Sequence, residues 1–294
     1  MTIRPLVSTD VDAVAEADFA AFHDVALRHG LPPVVGAVRD SRDYVRRLLL
    51  ADPLGGFVAT EGERIVGHAW VHVRGPIATV GPIAVEPASQ SRGVGRALLA
   101  RCLEAAARAA QVRLVHESFN VHSLALYLGA GFRVVAPLLE LTLAESRDVQ
   151  ATAVPEGTQV RPAVADDQAR IVARDARGFG TSRAQDVERY LRAGRGVVAE
   201  RGGALAGYAL GGFGYLGSAA ADDPQLVLAM LSRLAAEPSL RVGVLRTMVG
   251  ATDRRLVDGL LELGFRLFRA CHYMVRGGGT APPAGYVLMS GDFM

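Results

Sequence analysis

The chain repeats itself. In Thr2-Ile-Arg-Pro-Leu-Val-Ser-Thr-Asp10, the residues Arg4, Pro5, Val7 and Asp10 match Arg161, Pro162, Val164 and Asp167 at one constant offset. A second echo pairs Phe57-Val-Ala-Thr-Glu-Gly-Glu-Arg-Ile-Val-Gly-His-Ala69 with Val197-Val-Ala-Glu-Arg-Gly-Gly-Ala-Leu-Ala-Gly-Tyr-Ala209. Each reads as a strand, a tight glycine turn and a returning strand. A third pairs Leu128-Gly-Ala-Gly-Phe132 with Leu261-Glu-Leu-Gly-Phe265, a glycine helix stop followed by the first residue of a strand. Three echoes in one order argue for an internal duplication. The chain then holds two copies of one unit of about 140 residues each. Each copy reads as strand, helices, hairpin, strand, helix, strand, helix, strand, which predicts a mixed α/β sheet flanked by helices. The polar stretch Ala144 to Gly157, with Pro155, separates them. The expected domains are residues 1–145 and 159–294, joined by a linker at 146–158.

The copies part company after the hairpin. In the first, an apolar segment, Val80 to Val85, ends at Glu86-Pro87 and a loop with Gln90, Arg92, Gly93 and Gly95 follows. Arg96 to Ala110 then reads as a helix. A glycine-bearing loop opening a helix directs unpaired backbone N–H groups and the positive end of the helix dipole at one point, a place for a phosphate or pyrophosphate. The second copy has Leu216-Gly-Ser-Ala-Ala-Ala-Asp-Asp-Pro-Gln-Leu226 instead, and no glycine between Gly217 and Gly243. One phosphate site is therefore expected, centred on Gln90 to Ala97.

Composition removes other classes. No apolar run approaches the length of about 18 residues that a membrane-spanning helix needs. The N-terminus has no signal-peptide core. Cys102 and Cys271 lie far apart and fit buried thiols in a reducing, cytoplasmic setting. No Cys/His cluster has metal-ligand spacing, so no metal is expected. A net charge of +2, with no basic stripe interleaved with aromatics, argues against nucleic acid or a membrane surface as partner. All 32 basic residues are arginine and Asn120 is the single asparagine, a bias that fits a GC-rich, bacterial genome. Without lysine there is no G-x-x-x-x-G-K-[ST] loop. A dinucleotide fingerprint fails too, because its third glycine falls on Leu98.

Gln90-Ser-Arg-Gly-Val-Gly95 resembles the Q/R-x-x-G-x-G/A signature of the GNAT acyl-CoA N-acyltransferase superfamily. Ile83-Ala-Val85 is similar to that family's fourth strand. Asn120-Val-His-Ser-Leu-Ala-Leu-Tyr-Leu-Gly-Ala-Gly-Phe132 is similar to its later segment. The resemblance covers residues 2 to 143 well and 159 to 276 as a degenerate second copy, implying tandem GNAT folds. It implies acetyl-CoA as co-substrate. The backbone of Gln90, Ser91, Arg92, Gly93, Val94, Gly95, Arg96 and Ala97 would hold the pyrophosphate. The pantetheine arm would lie in a gap beside Ile83, Ala84 and Val85, pairing with that strand edge as an added β-strand does. Asn120 and Ser123 would contact the arm. Tyr127 stands where the family's general acid stands, to protonate the departing thiolate. Tyr127 also fits a packed aromatic on an amphipathic helix, and Asn120 a helix N-cap.

The base that takes the amine's proton is not spelled out. Ala78-Thr-Val-Gly-Pro-Ile-Ala-Val85 carries no carboxylate. His68 and His72 on the hairpin, His116 and Glu117 on the next strand, or a water chain are the alternatives. The segment Ala21 to Val45 fits a substrate-facing loop with helices. Phe213, Tyr215, Arg246, Arg269, His272, Tyr273 and the tail from Tyr286 could line a groove, and Tyr286 to Ser290 reads as a last strand. The leading function is N-acetylation of a small-molecule amine, by a monomer or homodimer. The alternatives are a protein or peptide acceptor, or a non-catalytic acyl-CoA sensor.

Overall fold

The computed structural model describes the chain except residues 146–148, 150, 213, 241–242 and 289–294. The first copy runs β1 (Thr2–Pro5), α1 (Val11–Arg28), α2 (Val38–Ala51), β2 (Gly56–Glu61), β3 (Arg64–Arg74), β4 (Ile77–Val85), α3 (Val94–Ala105), β5 (Gln111–Glu117), α4 (Val121–Gly129) and β6 (Arg133–Leu143). The second runs β7 (Thr158–Pro162), α5 (Gln168–Phe179), α6 (Ala184–Arg192), β8 (Gly196–Arg201), β9 (Ala204–Gly212), β10 (Tyr215–Ala221), α7 (Pro224–Ala235), β11 (Leu245–Gly250), α8 (Arg254–Glu262) and β12 (Arg266–Gly277). A short β13 (Tyr286–Val287) follows. The expected order holds twice over, and the fold is the mixed α/β sheet flanked by helices that the sequence predicts. The helix expected at Arg96 to Ala110 starts two residues earlier and stops at Ala105. Of the expected last strand, Met289 and Ser290 lie outside the described residues, as does Phe213.

Packing divides the chain into two units. One is Met1–Leu114 with Phe119–Arg133 and Val275–Gly278; the other is Val115–Ser118 with Val134–Met274 and Gly279–Met294. The division is not the chain-order boundary at 145 to 158, part of which lies outside the described residues. The second unit claims β6 because Leu138 to Leu143 form an unbroken antiparallel ladder with β11, from Leu138↔Gly250 to Leu143↔Leu245.

In the first unit β1 to β5 lie in chain order. Only β4 and β5 run parallel. Trp70, Val45, Leu48, Val58 and Leu98 are sealed from solvent in its core. Leu98, Leu99 and Cys102 form the buried stripe of α3, and a fully buried leucine contributes about 1.5–3 kcal/mol. Gly67 lets β3 lie against β4, since a Cβ there would stand 2.7 Å from the Ala84 carbonyl oxygen. In the second unit the order is β12-β6-β11-β10-β9-β8-β7, with β13 on β10. Its core gathers Leu226 to Leu231, Leu256, Leu260, Phe265 and Val287.

Each hallmark of the duplication has a structural cause. Arg4 forks onto Asp10 at 2.7 and 2.8 Å, and Arg161 forks onto Asp167 at 2.7 and 2.9 Å. Each carboxylate also accepts an N–H three residues back, Val7 or Val164, at 2.9 Å. Gly131 (φ 86°) and Gly264 (φ 97°) end α4 and α8 in the left-handed conformation that glycine tolerates.

Candidate active site

β4 delivers its end to a short loop and then to α3. Within the loop Ser91 (φ 62°) and Gly93 (φ 86°) are both left-handed. Gly93 immediately precedes α3 and no side chain caps that helix. The first backbone bond into the helix is Ala97 N–H to the Gly93 carbonyl at 3.0 Å. The amides ahead of it, on Val94, Gly95 and Arg96, have no turn before them to bond to, and the helix dipole adds to their pull on an anion. A Cβ at Gly93 would meet nothing within 4 Å, so this glycine is present for its backbone angle and for open space. Gln90 anchors the loop: its amide donates to the Val85 carbonyl at 2.9 Å, and its oxygen accepts from Arg28 at 2.9 Å. Arg92 lies 3.6 Å from Glu61 and Arg96 is exposed.

Beside the loop the sheet comes apart. The β4–β5 ladder runs through Ile77↔Gln111, Ala78↔Val112 and Thr79↔Arg113, and then stops. On its other edge β4 stays paired with β3, through Ala69↔Ile83, His68↔Ala84 and Gly67↔Val85. The β5-facing edge of β4 from Val80 to Val85 is thus beyond the parallel ladder, as a strand that accepts an extended chain must be.

Asn120 and Tyr127 are on α4. The Asn120 side-chain oxygen accepts the Ser123 N–H at 3.2 Å, and the Ser123 hydroxyl donates to the Asn120 carbonyl at 3.0 Å. Asn120 is therefore the N-cap of α4. Tyr127 is half-buried, edge-on to Phe132 with centroids 6.0 Å apart. Burial, and then the charge of nearby Cys102, pushes its phenol above the ordinary value.

The sequence profile of the GNAT acetyltransferase family matches residues 25–132, which hold this loop, the parted strands and Tyr127. The chain carries a GNAT acetyltransferase domain. It is an acyltransferase, of a family that uses acetyl-CoA. No curated protein matches the chain. Three solved structures share its fold. A candidate acetyltransferase from Pyrococcus horikoshii has a TM-score of 0.79 at 18% identity, covering 100% of this chain and 95% of its own. A GCN5-related N-acetyltransferase from Sphaerobacter thermophilus gives 0.71 at 18%, covering 95% and 97%. A tandem GNAT protein from the clavulanic acid biosynthesis pathway gives 0.63 at 19%, covering 95% and 99%.

The base candidates of the GNAT domain are each engaged. His68 is sealed from solvent, with Nε2 3.0 Å from Asp18, and Asp18 in turn accepts the Ser41 hydroxyl at 2.6 Å. Its Nδ1 is buried without a hydrogen bond. His72 Nδ1 lies 2.5 Å from Asp52, which Arg74 also clamps at 2.8 Å twice. Burial alone would raise the Asp52 carboxyl, but the bonds from His72 and Arg74 hold it below its ordinary value. His116 and Glu117 belong to the second unit. There His116 stacks on His272, Nδ1 to Nδ1 at 3.3 Å. Glu117 is ion-paired with Arg269, whose Nε also donates to the buried Glu140 at 2.5 Å. Of the residues expected to line a groove, Tyr215 and Arg246 join this network, each 3.4 Å from Glu140.

Among the described residues no group of three or more His, Cys, Asp or Glu could hold a metal ion. No described helix is long and apolar enough to cross a membrane.

Sequence reasoning missed Arg28 as the clamp on Gln90 and Asp18 as the partner of His68. For Asp18 a signal existed. Asp18 and Asp175 are spaced as Asp10 and Asp167 are, and Asp175 is likewise buried and bonded to the residue after the second hairpin glycine, Tyr208.

Proposed function

We propose that the chain moves the acetyl group of acetyl-CoA to the primary amine of a small molecule, by direct attack within a ternary complex. The observation that carries this is the coincidence of two open backbone features at one strand end. The β5-facing edge of β4 is released after Thr79, and α3 starts uncapped on Gly93. An acyl-CoA needs both, an edge for its amide-rich arm and a positive helix end for its pyrophosphate.

In this reading the amides from Gln90 to Ala97 take the pyrophosphate, with the Arg96 side chain beside them. Ile83, Ala84 and Val85 pair with the arm, and a strand amide there polarises the thioester carbonyl. Asn120 and Ser123 set the start of α4, which fixes Tyr127. The amine nitrogen attacks the carbonyl carbon and the C–S bond breaks. The thiolate takes the Tyr127 proton, and the nitrogen's surplus proton leaves through water. Solvent then returns a proton to the phenolate. Water is assigned the base's work because His68, His72, His116 and Glu117 are each held by another side chain.

The surroundings of Tyr127 suit an acid. Burial pushes the neighbouring Cys102 thiol up to about 12. A phenol and a thiol have similar ordinary values, about 10 and about 8.5, so the proton transfer is feasible. The second copy is assigned a substrate-shaping, non-catalytic role. The test is a panel of amines and peptides incubated with acetyl-CoA and read by thiol release. Turnover with small amines supports the reading. Turnover with peptides alone moves the acceptor to a protein, and binding without turnover on any amine makes the chain a sensor.

A further inference from the structure

The second unit has a parted pair of strands too. β10 and β11 run parallel through the partnership Tyr215↔Arg246, and β4 and β5 through three partnerships that end at Thr79↔Arg113. The register of the neighbouring hairpins fixes the equivalence. Ala209↔Ala219, Tyr208↔Ala220 and Gly207↔Ala221 repeat Ala69↔Ile83, His68↔Ala84 and Gly67↔Val85. Ala219 and Ala220 therefore stand where Ile83 and Ala84 stand.

In this unit the gap is filled by the chain itself. β13 pairs antiparallel with β10, Val287 opposite Ala219 and Tyr286 opposite Ala220. On its other side Leu288 bridges to Met248 of β11, donating its N–H to the Met248 carbonyl at 3.0 Å. Tyr286, Val287 and Leu288 are all buried. The segment is pinned before and within the strand. The Gly285 N–H donates to Asp253, the N-cap of α8, at 2.7 Å. The Tyr286 hydroxyl accepts from Arg183 at 2.7 Å and donates to Asp175 at 3.2 Å, in a cluster closed by Ser218 and Tyr208. The second cofactor contact is filled as well. α7 starts on Asp223, whose carboxylate accepts the Gln225 N–H at 2.9 Å. A negative charge sits on the helix end that in the first copy is uncapped.

We infer that β13 is a built-in occupant of the second copy's acyl-CoA cleft, a strand in the place of the pantetheine arm with Asp223 in the place of the pyrophosphate. The second unit is thus self-liganded and closed to acyl-CoA. This rests on reading the gap beside β4 as the cofactor cleft. The C-terminal segment then holds β10 and β11 together where their direct ladder ends.

Amide hydrogen exchange on the full chain, with and without acetyl-CoA, tests it. Peptides covering Ala219–Ala221 and Tyr286–Leu288 should be protected without ligand and unchanged by acetyl-CoA, while Ile83–Val85 gain protection. Free exchange of Tyr286–Leu288 without ligand, or a response of β10 to acetyl-CoA, overturns the inference. If β10 and β13 are protected but Ile83–Val85 do not respond, the strand occupies its gap and the cofactor reading of that gap is what fails.

A variant sharpens this. A Cβ at Gly178 of α5 would stand 2.2 Å from the Tyr286 ring. Alanine usually favours a helix over glycine, yet Gly178→Ala should speed exchange of Tyr286–Leu288 at least about tenfold. In a Tyr286→Ala background, which itself loosens the segment, Gly178→Ala should add no further change, because the ring it strikes is gone. Unaltered exchange in Gly178→Ala means the ring is not seated there and overturns the inference. If that variant does not fold, Tyr286→Phe serves: it removes only the hydroxyl, and should loosen the same peptides.

Discussion

The two copies keep the same corner and differ at the same helix end. Arg4 and Arg161 grip Asp10 and Asp167 with matching forks, and the hairpin registers repeat residue for residue. α3 nevertheless begins on left-handed Gly93 with no cap, while α7 begins on Asp223 with its carboxylate on a backbone amide. The difference teaches what the frame needs and what the site needs. Part-buried ion pairs and close strand contacts are common to the frame of both copies, so both retain them. An uncapped helix end is a defect in a folded protein unless something else satisfies it. The first copy keeps that defect and the second repairs it with its own chain.

Gly93→Asp puts a charged side chain at φ 86° beside the anion site. Acetyl-CoA affinity should fall by at least about 100-fold, from like charge at the anion site, and left-handed strain should lower the unfolding midpoint of the unliganded protein by an amount worth about 1–2 kcal/mol. Calorimetry checks the first outcome and thermal denaturation the second. Tyr127→Phe should keep acetyl-CoA binding and slow turnover by about one to three orders of magnitude. In the unaltered protein the acid must hold its proton, and burial raises the phenol. Any fall of kcat caused by its ionisation therefore belongs above the ordinary phenol value of about 10. A Tyr127-dependent fall near neutral pH would contradict the assignment.

The shared corner makes a smaller prediction with a pH sign. Asp10 is held below its ordinary value by Arg4. Asp167 is held well below it, first by Arg161, with Val164 and Arg170 adding to the effect. A lowered carboxyl stabilises the fold above its unfolded value of about 3.9, and that contribution is lost as pH falls through the folded value. Asp167→Asn should cost about 1–2 kcal/mol at neutral pH, discounted because its arginine partners are partly exposed. It should cost more than Asp10→Asn, and the cost should shrink in strong acid; denaturant titrations across pH read this. The smallest effect belongs to Asp223→Ala. Loss of this cap should cost about 1 kcal/mol of stability and leave acetyl-CoA affinity unchanged.

Much of this was legible in the sequence because it rests on local rules. Glycines at hairpin turns and helix stops, strand alternation and the Arg-Pro echo each declare themselves over a few residues, so the element order could be read twice. The loop at Gln90 to Ala97 was legible for the same reason. What stayed hidden depends on partners far along the chain. Nothing near His68 announces that Ser41 will reach its partner Asp18, and nothing near Glu117 announces Arg269. The repair of the second copy was hidden most fully. Its missing glycines could be read, but Tyr286 lies beyond the repeat and enters the gap only because β10 and β11 part after Tyr215 and Arg246.

Titration of the full chain with acetyl-CoA by calorimetry, on the unaltered protein and on Gly93→Asp, tests the central claim most directly. The account predicts one acetyl-CoA bound per chain and none in the variant. Two per chain, or one that survives in Gly93→Asp, would contradict it.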